Sequence, residues 1–542
     1  MENDDYFSFN SRRSAVYAYN GIVATSQPLA SQIGLYILQV KGGNAADAAV
    51  ATAAALNVVE PTSTGLGGDC FTLFYNNRNK NIFGINGSGR APKELSINYL
   101  NNIGVKDTIP IFSPHTVTVP GAAAGWIDTI EKFGSLTIEE VLQPAINLAE
   151  NGYPVSPVVA LSWKSGEKQL RHGPNAKELM INNRAPNPGE LMKIPTLAKT
   201  MRAITEQGKK GFYEGVVAES IIDLLNSLGG VMTLDDLKNH KSIFVDPISV
   251  NYHGIDIYEI PPNGQGITAL LALKILEEFN LEEKNPYSAE YLHIMIEAMR
   301  LAFADSRWYV TDPEFEHIPI SQLLSNEYAR ERKKLILPDK ATLHQVHGSP
   351  TKSSDTIYLS VIDKDGNACS FINSLYMGFG TGLIPKNTGV SLQNRGANFS
   401  LNPNHPNALK PNKRPYHTII PAMALKDNEL YASFGVMGGF MQPQGQVQVL
   451  TKMVDHGYDP QQALDAPRFC ITDGTSGGVI ALEEGIPQNV INKLSLMGHD
   501  VHPVSGWLRN VFGRGQIIRR NPQDGVIWAG SDPRADGCAV GY

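Results

Sequence analysis

The chain has 542 residues, 42% of them hydrophobic, enough apolar material for a large buried core and, by length alone, for about three or four domains. A formal net charge of −7, with no long Lys/Arg block, excludes a nucleic-acid footprint. The four cysteines (Cys70, Cys369, Cys470 and Cys538) form no CxxC pair, which argues against a disulfide or metal framework and fits a reducing, cytoplasmic location. No metal or cofactor is expected.

The N-terminal MENDDYFSFNSRR lacks a basic segment followed by an apolar one, so no signal peptide is expected. Ala45 to Val59 is too short to cross a bilayer and contains Asp47, so no membrane partner is expected either. Gly21 to Thr25 reads as a strand, and Leu29 to Val40 as a helix. Asn44 is placed to cap an alanine-rich helix from Ala45 to Leu56. The glycine-rich Gly65-Leu66-Gly67-Gly68-Asp69 follows a helix and precedes a strand, Cys70 to Tyr75. That order is the reverse of a phosphate-binding loop, so tight packing is the better reading. Asn81 to Asn86 reads as a strand leading to Gly87-Ser88-Gly89-Arg90, where Arg90 is more simply a surface cation than a ligand. Val117 to Trp126 reads as a strand turning into a helix, and Ile138 to Leu224 as mainly helical. Ile255 to Ile260 reads as a strand that ends in Pro261-Pro262-Asn263-Gly264-Gln265-Gly266. Helices are expected from Ile267 to Phe279 and from Ala289 to Tyr309, the latter with apolar residues at helical spacing.

Leu343 to Asp355 is polar, carries Gly348 and Pro350, and reads as an exposed segment open to cleavage. The strand that follows alternates, with Ile357, Leu359 and Val361 on one face. Lys364-Asp365-Gly366 suits a three-residue hairpin loop with Gly366 left-handed, and Ala368 to Leu375 returns. Symmetry about Asp365 sets Ser374 opposite Thr356, unless a bulge shifts the register. Cutting Asp355–Thr356 would give Thr356 a free α-amine, able to act as base for its own hydroxyl. A linker followed by an ordinary strand is the alternative.

Further on, Ala422 to Lys426 and Leu430 to Phe434 read as strands. The second runs into Gly435-Val436-Met437-Gly438-Gly439, whose unobstructed backbone N–H groups suit an oxyanion hole, or simply a turn into a helix from Pro443 to His456. No HExxH zinc motif and no GxSxG elbow occurs. Strands and helices mix without a βαβ rhythm, which points to a layered α/β or α+β fold.

Several stretches together resemble the γ-glutamyltransferase family: KGGNAADAAVATAAALNVVEP with GLGGDCF, VPGAAAGW, PPNGQG, DTIYLSVIDKDGNA, NKRPYHTIIPAM, VMGGF, LDAPRF and GSDPR, in the same order from about Gly21 to Tyr542. The resemblance implies an N-terminal-nucleophile hydrolase, α+β, with a four-layer αββα sandwich. It implies a precursor that cuts itself into a large subunit, 1–355, and a small catalytic subunit, 356–542, which share one composite domain. It leaves room for a homo-oligomer of that heterodimer. By the same resemblance Thr356 is similar to the nucleophile and new N-terminus, Ser374 to its supporting hydroxyl, and Gly438 and Gly439 to the oxyanion-hole glycines.

The substrate pocket departs from the family pattern. The position of the family's carboxylate-binding arginine is Ser88 here, with Arg90 two residues on. The loop that carries the amine-binding acids reads Asn394-Arg395-Gly396-Ala397-Asn398-Phe399, without an aspartate. Tyr376 stands where the family has an asparagine, and His417-Thr418 where it has a serine pair. Arg395 facing the pocket repels the ammonium of a γ-glutamyl group, by up to about 4 kcal/mol at ~4 Å and an effective dielectric of about 20. A glutaryl-type group lacks that ammonium, as in the glutaryl (cephalosporin) acylase branch, which this loop resembles. An Arg395 turned outward, or paired with another acid, would leave γ-glutamyl specificity intact. The expected function is therefore a self-processing amidohydrolase or acyltransferase that cleaves γ-glutamyl or glutaryl-type amides, with water or an amino-acid or peptide acceptor as second partner. A true glutathione hydrolase and an inactive binding scaffold are the alternatives.

Overall fold

The structure is a computed structural model that describes residues 13–342 and 355–542. The expectation that Leu343 to Asp355 is an exposed, cleavable segment falls almost wholly on 343–354, outside the described residues, as does most of the N-terminal stretch.

Two seven-stranded sheets form the centre. The first runs Val16–Ala18, Ile527–Ser531, Arg514–Arg520, Glu429–Met437, Ala422–Lys426, Ile255–Glu259, Ile248–Tyr252. The second runs Cys538–Gly541, Ile22–Thr25, Asp355–Ile362, Ala368–Tyr376, Asp69–Asn76, Asn81–Gly87, Ile243–Val245. Pairing within both is antiparallel, and each sheet is built from strands that lie before residue 355 together with strands that follow it.

The alternation of apolar side chains builds the layers. Ile357, Leu359, Val361 and Phe371 point into a core shared with the helices Pro28–Gln39, Ala45–Val59 and Ala122–Phe133. Tyr358, Ile362 and Ile372 point the other way, onto Met423, Leu430 and Ile518 of the facing sheet. The far side of that sheet packs Ala424, Phe434 and Val436 against the helices Gly266–Leu276 and Ala289–Tyr309. Helix, sheet, sheet, helix is the αββα order the resemblance implies.

The alanine helix is buried on every side, which only a thin side chain permits. Asn44 caps it by accepting from Ala46 N and Asp47 N, completing a capping box with Asp47. Two expectations need correction. Val117 to Gly121 is not a strand: Val119 N donates to Arg90 O, and Gly121 N and Ala122 N both donate to Gly68 O, so this stretch is locked to loops instead of a ladder. The helix expected from Pro443 begins earlier, at Met441, directly after the glycine turn.

Candidate active site

The hairpin at the centre of the second sheet turns where its sequence predicts, with Gly366 at φ 78°. Pairing holds the expected symmetry from Ile357↔Asn373 to Ile362↔Ala368, then slips by one so that Asp355 faces Tyr376. The bulge falls at Thr356, as bulges that re-aim a side chain often do. Ser374 still meets it: Thr356 Oγ1 and Ser374 Oγ are 3.0 Å apart, both residues fully buried.

Ser374 Oγ also receives the N–H of Tyr376 at 2.8 Å and Nη2 of Arg395 at 3.2 Å. Ser374 Oγ thus accepts from two N–H donors, and in its contact with Thr356 either hydroxyl can be the donor. Arg395 donates through Nη1 to Thr418 Oγ1 at 2.6 Å and lies over the Tyr376 ring, 4.4 Å from its centre. Tyr376 holds that ring in place from a left-handed backbone, φ 78°, a conformation that a residue of its size adopts only under constraint. Its hydroxyl donates to Asn398 Oδ1 at 2.8 Å, which orients the amide.

Arg395 is 0% exposed, and no carboxylate lies within 4.0 Å of it among the described residues. Its Nε and the Nδ2 of Asn398 are buried donors without an acceptor there. Burial pulls the Arg395 pKa down to about 10, against the weaker upward pull of Asp69 and Tyr376. A buried cation flanked by unfilled donors has the chemistry to accept an anion.

Asp69 organises the floor of the site. Its strand pairs it with Ser374, and its carboxylate accepts from Gly89 N, Gly121 N, Gln393 Nε2 and His417 Nε2. Ile419 N donates to His417 Nδ1 at 3.4 Å, which assigns the ring proton to Nε2, facing Asp69 at 2.9 Å. Burial, helped by the charge of Arg395 and opposed by Asp69, lowers the His417 pKa to about 4, so the ring is neutral at physiological pH. Both ring nitrogens of His417 are thus engaged by protein groups.

The glycine turn comes from the facing sheet. A Cβ on Gly435 would sit 2.6 Å from the Tyr358 ring, and Ser360 Oγ donates to Ser433 Oγ at 2.6 Å. These contacts, 360 with 433 and 358 with 435, show the two strands running in opposite directions, so the one heads back toward Thr356 as the other heads toward the glycine turn. Gly438 and Gly439 have φ values of 128° and 61°. Their carbonyls accept from Met441 N and Gln442 N, and their own N–H groups meet no acceptor among the described residues. Gln265 fixes this turn: its Nε2 donates to Gly439 O and Thr418 O, and its Oε1 accepts from Tyr416.

The structure thus brings together Thr356, Ser374, Tyr376, Arg395, Asn398 and Thr418. Arg90 is committed elsewhere: it donates to Asn412 O and Glu314 and lies 3.5 Å from Asp312, in an ion cluster shared with Arg414. Ser88 sits in a buried amide cluster with Asn86 and Asn263. Sequence reasoning did not single out Asp69, Gln393 and Gln265, although Asp69 and Gln265 lie inside stretches noted for their glycines. The Gly65–Gly68 loop packs tightly, as expected, and does so against the site itself. A Cβ on Gly68 would lie 2.1 Å from the Ser374 carbonyl oxygen. Among the described residues there is no cluster fit for a metal ion, and no helix is long and apolar enough to cross a membrane.

Comparison with known proteins gives a consistent picture. The family described as gamma-glutamyltranspeptidase matches residues 30–542. The glutathione hydrolase-like YwrD proenzyme of Bacillus subtilis (strain 168) is 38% identical over 96% of this chain and 98% of its own. The oxamate amidohydrolase proenzyme of Klebsiella pneumoniae is 33% identical, again over 96% and 98%. The crystal structure of cephalosporin acylase from Bacillus halodurans superposes with a TM-score of 0.90 at 43% identity, covering 100% of this chain and 99% of that one.

Proposed function

For a chain that belongs to the gamma-glutamyltranspeptidase family, we propose that Thr356 is the nucleophile and that the acyl group it takes carries a carboxylate without a neighbouring ammonium. Membership makes the protein an enzyme, a self-processing amidohydrolase and acyltransferase, and family precursors mature to heterodimers that act on amides. The observation that carries the substrate reading is Arg395, fully buried, without an acid partner among the described residues, and in contact with the hydroxyl that touches Thr356.

The chemistry has two stages. In the precursor, the Thr356 hydroxyl attacks the Asp355 carbonyl. The peptide bond breaks as an ester forms, and water hydrolyses the ester, releasing residues 1–355 and 356–542. The freed α-amine, with an ordinary pKa of roughly 7.7–8.0, then takes the proton of the Thr356 hydroxyl as its oxygen attacks a substrate amide. The Gly438 and Gly439 N–H groups receive the oxyanion, and Ser374 donates to the threonine oxygen. The amine product leaves with the proton, and water or an amino-acid or peptide acceptor resolves the acyl-threonine. Thr418 and Tyr376 hold Arg395 in place, and Asn398 adds a donor. A role for Arg90 would require its release from Glu314.

The expected result with glutaryl- and γ-glutamyl-p-nitroanilide is at least tenfold higher kcat/KM for glutaryl, because the ammonium of the other would face Arg395. A clear γ-glutamyl preference overturns the substrate reading and favours a glutathione hydrolase. A cytoplasmic location is supported by four cysteines that are all free, and fractionation of the source cell tests it.

A further inference from the structure

The acyl group's carboxylate has a limited distance to reach, and that distance is set by contacts already described. Thr356 Oγ1 to Ser374 Oγ is 3.0 Å and Ser374 Oγ to Arg395 Nη2 is 3.2 Å. Even if these lie in a straight line, Nη2 is within about 6 Å of the attacking oxygen, and Nε, two C–N bonds further round the guanidinium, within about 8.5 Å. Any bend at Ser374 shortens both. Nη1 and Nη2 already hold Thr418 and Ser374, so Nε, which lies as far from Nη2 as Nη1 does, is the guanidinium nitrogen left unfilled. Asn398 Nδ2 is the other unfilled donor, aimed by the hydrogen bond from Tyr376 to its Oδ1.

An acyl chain bound to Thr356 must span that gap. Each bond of an extended chain advances about 1.25 Å, and the final hydrogen bond to a guanidinium adds about 2.8 Å. An extended succinyl group therefore carries its carboxylate oxygen close to hydrogen-bonding distance of Nε at the far limit of the gap, with a total span of roughly 9 Å. A glutaryl group overshoots by more than an ångström even at that limit, and reaches Nε only by folding its methylenes, which costs conformational freedom. Shorter chains meet the nearer edge of the guanidinium, where each Nη keeps one further N–H.

We infer that the acyl substrates are monoamides of short dicarboxylic acids, up to four carbons long, with the carboxylate held between Arg395 and Asn398. This inference rests on the carboxylate reading of Arg395 and sharpens it: glutaryl is better than γ-glutamyl, and shorter chains are better than glutaryl.

The test is a length series on the processed enzyme. The 4-nitroanilide monoamides of malonic, succinic, glutaric and adipic acids are each compared with the neutral acyl nitroanilide of equal carbon count. The quantity read is the ratio of kcat/KM, acid over neutral. A ratio of about a hundredfold is expected for malonyl and succinyl, at least tenfold less for glutaryl, and near one for adipyl. A ratio that peaks at glutaryl or adipyl overturns the length limit while the carboxylate reading stands. A ratio near one at every length overturns the carboxylate reading itself. Asn398→Leu is expected to lower the succinyl ratio about tenfold with only a small change in melting temperature. An unchanged ratio removes Asn398 from the receptor.

Discussion

Arg534 and Arg395 both bury their guanidinium groups, and the protein treats them in opposite ways. Arg534, its side chain 1% exposed, donates to both carboxylate oxygens of Glu483 at 2.6 Å, to Asp532 at 3.0 Å, and to the carbonyls of Leu464 and Ala466. Burial alone would lower its pKa, but Asp532 and Glu483 outweigh it and raise the value. Arg395 is equally buried and has only hydroxyl partners and an aromatic face, so burial prevails and its pKa falls to about 10. A charge that exists for structure has its counter-ion built in. A charge held out of water without one is a standing cost to folding, and the proposed function gives it a reason, a ligand that brings the missing charge.

Substitutions at the two arginines should therefore diverge. Arg534→Met is expected to cost about 3–5 kcal/mol in a denaturant titration, because it removes the arginine that Glu483 and Asp532 share and leaves these buried acids only Arg509 and Arg468. A loss below ~1 kcal/mol would break the contrast. Next in size is an acid effect at His417. Its folded pKa, about 4, lies below the ordinary 6.5, so as pH falls the unfolded chain takes up this proton first. The contribution is full above about pH 6.5, declines toward pH 4 and is constant below, by up to about 3 kcal/mol. Arg395 is one cause of the lowered value, so Arg395→Met should shrink the decline. Stability curves of the two proteins between pH 7 and 4 that run parallel would contradict this. Arg395→Met is also expected to lower kcat/KM on a carboxylate-bearing amide by roughly a hundredfold, ~3 kcal/mol, with an unchanged or raised melting temperature. A collapse in melting temperature instead would make Arg395 structural like Arg534. Ser374→Ala should slow turnover and precursor cleavage together, by about 1–2 kcal/mol each, since one hydroxyl serves both. Slowing only one of them would separate Ser374 from that shared role.

What was legible in the sequence was local. The hairpin announced itself through alternation and Asp363 to Asn367, and two-residue periodicity put Ser374 beside Thr356 even though the ladder slips by one at Thr356. The resemblance supplied the layer order and the glycine turn. It also flagged Arg395 as the departure, but whether that arginine faced inward or paired with an acid depended on packing no local pattern records. Long-range partners stayed hidden for the same reason. Asp69 meets His417 across 348 residues, and Arg90 meets Glu314 across 224, with only ordinary loop chemistry at either end. Val117 to Gly121 misled because β-branched residues in extended backbone look like a strand, whether or not a ladder accepts them.

All of this depends on Thr356 becoming a chain end. Intact mass and N-terminal sequencing of the purified protein and of Thr356→Ala test that most directly. The prediction is two fragments for the wild-type protein, the smaller beginning Thr356-Ile357-Tyr358, and one uncut, inactive chain for the variant. A wild-type chain that is active while whole, a cut at another bond, or a Thr356→Ala protein that still cleaves between residues 355 and 356 would contradict it.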